Sequence, residues 1–160
     1  MTPEELGQLI DRYAAALVLY ARQWCAMPED VVQESFVKLM RQSPVPTQIR
    51  AWLYCVVRNG AISQARSAKR RAKYEMHVAS RSPGFVELSD DPTGLDGTVV
   101  IEALEGLPVE QREIIIAHLW GGLTFEEIAE LVNTSSSTAF RRYHAGLERL
   151  RQQLGVSCPI

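Results

Sequence analysis

The sequence predicts an all-α protein made of two small helical domains joined by a flexible linker. Three observations lead there. Large apolar residues recur every three or four positions through most of the chain, and no stretch of useful length alternates as a strand does. Between Ser80 and Thr98 that period lapses, and two prolines, three glycines and three aspartates replace it, the composition of a connection between domains. Thr124 to Arg151 carries the capping, turn and spacing signals of a helix-turn-helix. A chain of 160 residues is long enough for one domain or two small ones. The expected division is a domain over 1–76, a linker over 77–98 and a domain over 99–155.

Thr2-Pro3-Glu4-Glu5 opens the first helix, with a capping box and a proline at the first helical position. Leu6, Leu9, Ile10, Tyr13, Leu17, Tyr20 and Trp24 follow at helical spacing, so this helix is expected to run to about Trp24. Met27-Pro28-Glu29-Asp30 restarts the chain, and Val32, Phe36, Leu39 and Met40 mark a second helix. Pro44 and Pro46 keep the loop from Gln42 to Thr47 out of a helix. The third helix is expected from about Gln48 to Tyr74. Its first half is amphipathic through Ile49, Trp52, Leu53, Val56 and Val57, whereas its second half is polar and basic and is expected to project onto a partner. After the linker come a short helix over Val99–Leu104 and a longer one over Val109–Trp120, stopped by Gly121-Gly122. Gly155 to Ile160 reads as a short tail.

The helix-turn-helix begins at Thr124, whose hydroxyl and Glu127 form a second capping box. Ile128, Leu131 and Val132 make one apolar face, and Ala129 is small enough for a close helix crossing. Asn133 falls where the turn needs a left-handed residue. Ser135 caps the next helix, with Ala139, Tyr143, Leu147 and Leu150 facing inward. Outward face Ser136, Ser137, Thr138, Arg141, Arg142 and Arg149. Short hydroxyls and free amides at a helix start hold phosphates, and the arginines that follow suit guanine edges in a major groove.

Net charge is −2, which argues against a non-specific nucleic-acid binder until the distribution is considered. No acid occurs between Glu34 and Glu75, while Lys38, Arg41, Arg50, Arg58, Arg66, Lys69, Arg70, Arg71 and Lys73 all lie there. From Glu75 to Glu113 the balance is acidic. Charge sorted in this way favours a phosphate surface over a merely solvated helix end. The apolar runs are too short to cross a membrane, and the acidic N-terminus is not a signal peptide. Cys25, Cys55 and Cys158 show neither disulfide nor metal spacing, which points to the cytoplasm. His118 and His144 lack partners at ligand spacing, so no metal is expected. No catalytic constellation or phosphate-binding glycine loop is present, so neither enzyme activity nor a cofactor is expected. Trp24, Trp52 and Trp120 are assigned to the core on their spacing.

The order of these pieces resembles a bacterial RNA polymerase sigma factor of the extracytoplasmic-function group, over nearly the whole chain. Asp30-Val31-Val32-Gln33-Glu34-Ser35-Phe36 resembles the family's DxxQExF helix. Arg50-Ala51-Trp52-Leu53 and Val57-Arg58-Asn59 resemble its RAWL and ARN signatures. Leu107-Pro108, Gln111-Arg112 and Gly122 to Ala129 resemble the opening of its second conserved domain.

The resemblance implies that Asp30, Gln33, Glu34 and Lys38 dock on core RNA polymerase, whose clamp helices and flap are the expected contacts. It implies that the third helix and the loop before it bind the minus-ten element of promoter DNA, through Arg58, Asn59, Arg66, Lys69, Arg70 and Arg71. Ser136, Ser137, Thr138, Phe140, Arg141, Arg142 and Arg149 are then the surface for the minus-thirty-five element. An anti-sigma protein is an expected further partner. Ser63 stands where many relatives carry Asp, and Phe140 where many carry Lys, so the promoter sequence does not transfer. Two other functions fit the same residues: a free-standing helix-turn-helix regulator, and a sigma-like adaptor or decoy that reads no promoter.

Overall fold

Thr2 starts the first helix as its residues require. Its hydroxyl accepts the Glu5 amide at 3.2 Å, and the Glu5 carboxylate accepts the Thr2 amide at 2.7 Å. That backbone hydrogen bond from Thr2 holds the Glu5 carboxyl below its ordinary range. The computed structural model describes residues 1–74 and 97–155, and among the described residues there are seven helices and no strand. They are α1 (Pro3–Ala21), α2 (Pro28–Arg41), α3 (Ile49–Tyr74), α4 (Gly97–Glu105), α5 (Val109–Leu119), α6 (Phe125–Val132) and α7 (Ser136–Leu154).

Helices α1, α2 and α3 pack mutually around Leu17, Tyr20, Val32, Phe36, Leu39, Leu53 and Val57. α1 stops at Ala21, short of the expected Trp24, because the chain turns there: the Trp24 and Cys25 amides both donate back to the Ala21 carbonyl. The Cys25 thiol donates to the same carbonyl, and burial pushes its pKa up. Trp24 still packs against the core from the turn, and so does Trp52 from α3. Ser35, buried on α2, is satisfied by donating to the Val31 carbonyl at 2.7 Å. Ile10 and Met40 kept the helical spacing yet are exposed. Each lies at the margin of its apolar stripe, beyond the reach of the helices packed there.

In the second half, α5 and α6 both pack on α7, and α4 also rests on α7. α5 is buried across Glu113, Ile114, Ile115, Ile116 and Ala117 because α7 and α1 cover different sides of it. Trp120 corrects the sequence reading: it is 40% exposed, since it caps α5 one residue beyond the packed turn and the chain leaves through Gly122 at φ 65°. The short helix α4 begins at Gly97, inside the expected linker, whose earlier residues through Asp96 lie outside the described residues. Cys158 and the tail from Val156 also lie outside them. Among the described residues no helix is long and apolar enough to cross a membrane.

Candidate nucleic-acid and polymerase interface

The turn between α6 and α7 sets the direction of α7. Thr124 and Glu127 close their capping box, with bonds of 3.2 and 2.9 Å. Asn133 ends α6 at φ 53°, the left-handed conformation expected of it. Ser135 then caps α7 by accepting the Thr138 amide at 3.1 Å. Ala139 is fully buried and Tyr143 nearly so, which fixes the roll of α7. That roll leaves Ser136, Ser137, Phe140, Arg141 and Arg149 exposed, with Thr138 and Arg142 half-buried. Arg141 leans on the Thr138 hydroxyl at 3.4 Å.

Phe140 is the unusual member of this face. It is 49% exposed, yet its ring is braced edge-on by Phe125 at 5.3 Å and by a tilted His144 ring at 4.2 Å. Behind Phe125, His118 stacks at 4.5 Å and its Nδ1 lies 2.7 Å from the Leu123 carbonyl. The two histidines thus sit in an aromatic cluster, and among the described residues no group of three His, Cys, Asp or Glu side chains gathers as metal ligands do.

The first half presents a groove of about 590 Å³ between α2 and α3. Glu34 and Lys38 line it from α2, and Asn59, Ser63, Gln64 and Arg71 line it from α3. Residues expected to meet polymerase and residues expected to meet promoter therefore share one groove. The Gln64 side-chain oxygen is buried there without a hydrogen-bond partner. Asp30 and Gln33 are exposed on the first turns of α2, where Glu29 and Asp30 also suit the helix dipole. At the far end of α3, Arg66, Lys69, Arg70 and Arg71 are exposed, and among the described residues none of them is in an ion pair. Uncompensated cations along one helix end are an electrostatic footprint for a polyanion.

Arg58 stands apart from that row. Its guanidinium turns toward α5 and donates through Nε to the Glu113 carboxylate, which the Tyr20 hydroxyl also reaches at 2.7 Å. Glu113 is only 5% exposed and Tyr20 is fully buried. Burial works against the charge on Arg58, but the Glu113 hydrogen bond and charge more than reverse this and raise its pKa. Burial first, then the Glu113 carboxylate, pushes Tyr20 well above its ordinary value. Nearby, Arg50 donates to Glu127 at 3.1 Å, and the Arg58 guanidinium lies 5.8 Å from the Trp24 ring. Glu113, Tyr20 and Glu127 were not singled out by the sequence as a group. The available signal was Glu113 itself, an acid beside Ile114-Ile115-Ile116, where a buried charge requires a partner.

A braced recognition helix on one half and an unpaired basic helix on the other define a DNA-binding protein of the helix-turn-helix class. Residues 9–71 match the family model for sigma-70 region 2, and residues 98–150 match that for sigma-70 region 4. The ECF RNA polymerase sigma factor SigL of Mycobacterium tuberculosis is 31% identical over 93% of this chain and 90% of its own length. The RNA polymerase sigma factor CarQ of Myxococcus xanthus is 30% identical over 81% of this chain and 76% of its own. Among solved structures, the sigma factor RpoE of Bartonella quintana, crystallised with the anti-sigma factor NepR, has the same fold. It superposes with a TM-score of 0.76 at 24% identity, covering 97% of this chain and 99% of that one. The chain belongs to the extracytoplasmic-function RNA polymerase sigma factors, which direct core polymerase to promoters.

Proposed function

We propose that the two exposed surfaces divide promoter reading between them, within a factor that docks on polymerase through α2. Asp30, Gln33, Glu34 and Lys38 form the docking face. Asn59, Arg66, Lys69, Arg70 and Arg71, with Arg58 once it is released from Glu113, hold the minus-ten region. Ser136, Ser137, Thr138, Phe140, Arg141, Arg142 and Arg149 meet the minus-thirty-five duplex. The carrying observation is the unpaired basic end of α3 beside the α2–α3 groove. It supplies phosphate contacts next to the docking face, which a free-standing regulator does not need. The expected domains are 1–76 and 99–155, each bearing one surface.

The chain works as a binding factor and not an enzyme, in keeping with its matches to sigma-70 regions 2 and 4. Strand separation is driven by capture of unstacked bases, which offsets an unstacking cost of about a few kcal/mol. The site of action is the cytoplasm. RpoE was crystallised with an anti-sigma factor, and an inhibitory protein of that kind is the expected control on this chain. The test is the double substitution Arg141→Ala and Arg142→Ala. Promoter-dependent transcription is expected to fall by tenfold or more with polymerase binding kept, since each base contact contributes about 1–3 kcal/mol of discrimination. Unchanged promoter use by that variant rules out the assignment of α7.

A further inference from the structure

The cluster at Tyr20, Arg58 and Glu113 joins residues from α1, α3 and α5, so it ties the two halves of the chain together. Other contacts cross the same boundary. Arg50 pairs with Glu127, Arg112 donates to Gln23 at 3.3 Å, and Gly121 lies so close to Tyr54 that a Cβ there would sit 2.5 Å from its hydroxyl. Tyr54 is itself 1% exposed, and its hydroxyl has no hydrogen-bond partner. The halves thus meet over a buried, partly charged surface.

That arrangement conflicts with simultaneous reading of two promoter elements. α6 packs on both α3 and α7, so with helix axes about 8–10 Å apart the recognition helix lies within about 20 Å of the start of α3. The middle of α3's basic stretch is roughly another 20 Å along its axis. The two surfaces are therefore about 40 Å apart at most. Elements centred at minus ten and minus thirty-five are about 25 base pairs apart, or about 85 Å along B-form DNA at roughly 3.4 Å per pair.

We propose that this is a closed resting state, latched by Glu113 through Arg58 and Tyr20, and that promoter engagement requires the latch to open. The inference rests on the assignment of α3 and α7 to the two elements. Glu113 takes the guanidinium that a promoter phosphate takes in the open state, so one ion pair both holds the halves together and masks a DNA contact. Removing the carboxylate leaves Arg58 uncompensated at a buried surface, which favours opening.

The experiment compares wild-type full-length chain with Glu113→Gln, Tyr20→Phe and Glu113→Lys, by X-ray scattering and by affinity for core polymerase. Retained helicity qualifies each variant; Glu113→Gln and Tyr20→Phe keep the shape and decide the matter where Glu113→Lys does not fold. A closed wild type has a radius of gyration near about 15 Å, the value for a compact chain of this length. The Glu113 variants are expected to expand, and Glu113→Gln to bind polymerase roughly tenfold more tightly, because the closed fraction no longer lowers apparent affinity. A wild-type radius above about 20 Å overturns the closed state. Glu113 variants whose radius stays at the compact wild-type value and whose affinity lies within twofold of wild type overturn the latch. Expansion of the variants without polymerase binding by any form upholds the latch and rejects the sigma assignment instead.

Discussion

Two glycines in helix interiors give the same substitution opposite outcomes. Gly7 in α1 has nothing within 4 Å of an added Cβ, so Gly7→Ala gains helix propensity at no steric cost. That is about 0.5–1 kcal/mol of stabilisation. At Gly146 in α7 the added Cβ would lie 2.6 Å from Ile115 Cδ1 and 3.2 Å from Gln111 Cβ. Ile115 is fully buried, so its side chain has no free volume to enter. Overpacking of this kind costs about 1–3 kcal/mol, which exceeds the propensity gain and leaves Gly146→Ala about 1 kcal/mol destabilised. For a chain of this length about 1 kcal/mol moves Tm by roughly 2–4 °C. Thermal unfolding followed by circular dichroism measures both variants. Ile115→Val removes the Cδ1 atom, so in the Gly146→Ala background it should restore part of the loss and show a favourable coupling of about 1 kcal/mol or more. A Gly146→Ala protein as stable as Gly7→Ala, or zero coupling with Ile115→Val, would refute the close α5–α7 crossing.

Thr124→Ala removes one side of the α6 capping box and is expected to cost about 1 kcal/mol, measured by urea denaturation; a change below about 0.3 kcal/mol contradicts the cap. Tyr20 and Tyr54 both have pKa values raised in the folded chain, chiefly by burial. Each therefore contributes stability that is fully present below the ordinary value of 10.0 and is lost as pH rises beyond it toward the folded value. Tyr20→Phe should flatten that alkaline loss, and formation of all five tyrosinates near pH 10 in an intact helical protein would contradict the burial. Phe140 carries a braced apolar ring on the exposed face of α7, which suits a thymine methyl. In duplex binding, uracil in place of one thymine of the bound element should weaken wild type about fourfold, the effect of losing about 0.8 kcal/mol of methyl burial. Phe140→Ala should be indifferent to that change, and an equal loss in both proteins removes Phe140 from the reading surface.

The features most legible in the sequence are those settled within a few residues. Both capping boxes, the left-handed Asn133 and the Ser135 cap are decided by neighbours three or four positions away, and all form as expected. The start of α3 at Ile49 falls one residue from its expected place because Pro46 and the Ile49-Trp52-Leu53 spacing define it locally. Trp120 was misplaced because spacing identifies an apolar stripe but not where its packing partner ends. The Tyr20–Glu113–Arg58 cluster joins residues 93 and 55 positions apart. Its members look like an ordinary core tyrosine, a helix acid and a signature arginine when taken singly. Which side of α5 meets α1 is decided by tertiary packing alone. The outward face of α7 was legible from period and capping, whereas the bracing of Phe140 by Phe125 and His144 required the crossing of α6 and α7.

The most direct test of the central claim is run-off transcription from a pool of genomic fragments, using purified core RNA polymerase with and without this protein. New transcripts whose starts share two upstream elements about 25 base pairs apart, centre to centre, are the expected result, and Arg141→Ala with Arg142→Ala should abolish them. Polymerase that binds the protein yet yields no new transcripts from any fragment would contradict a promoter-directing role.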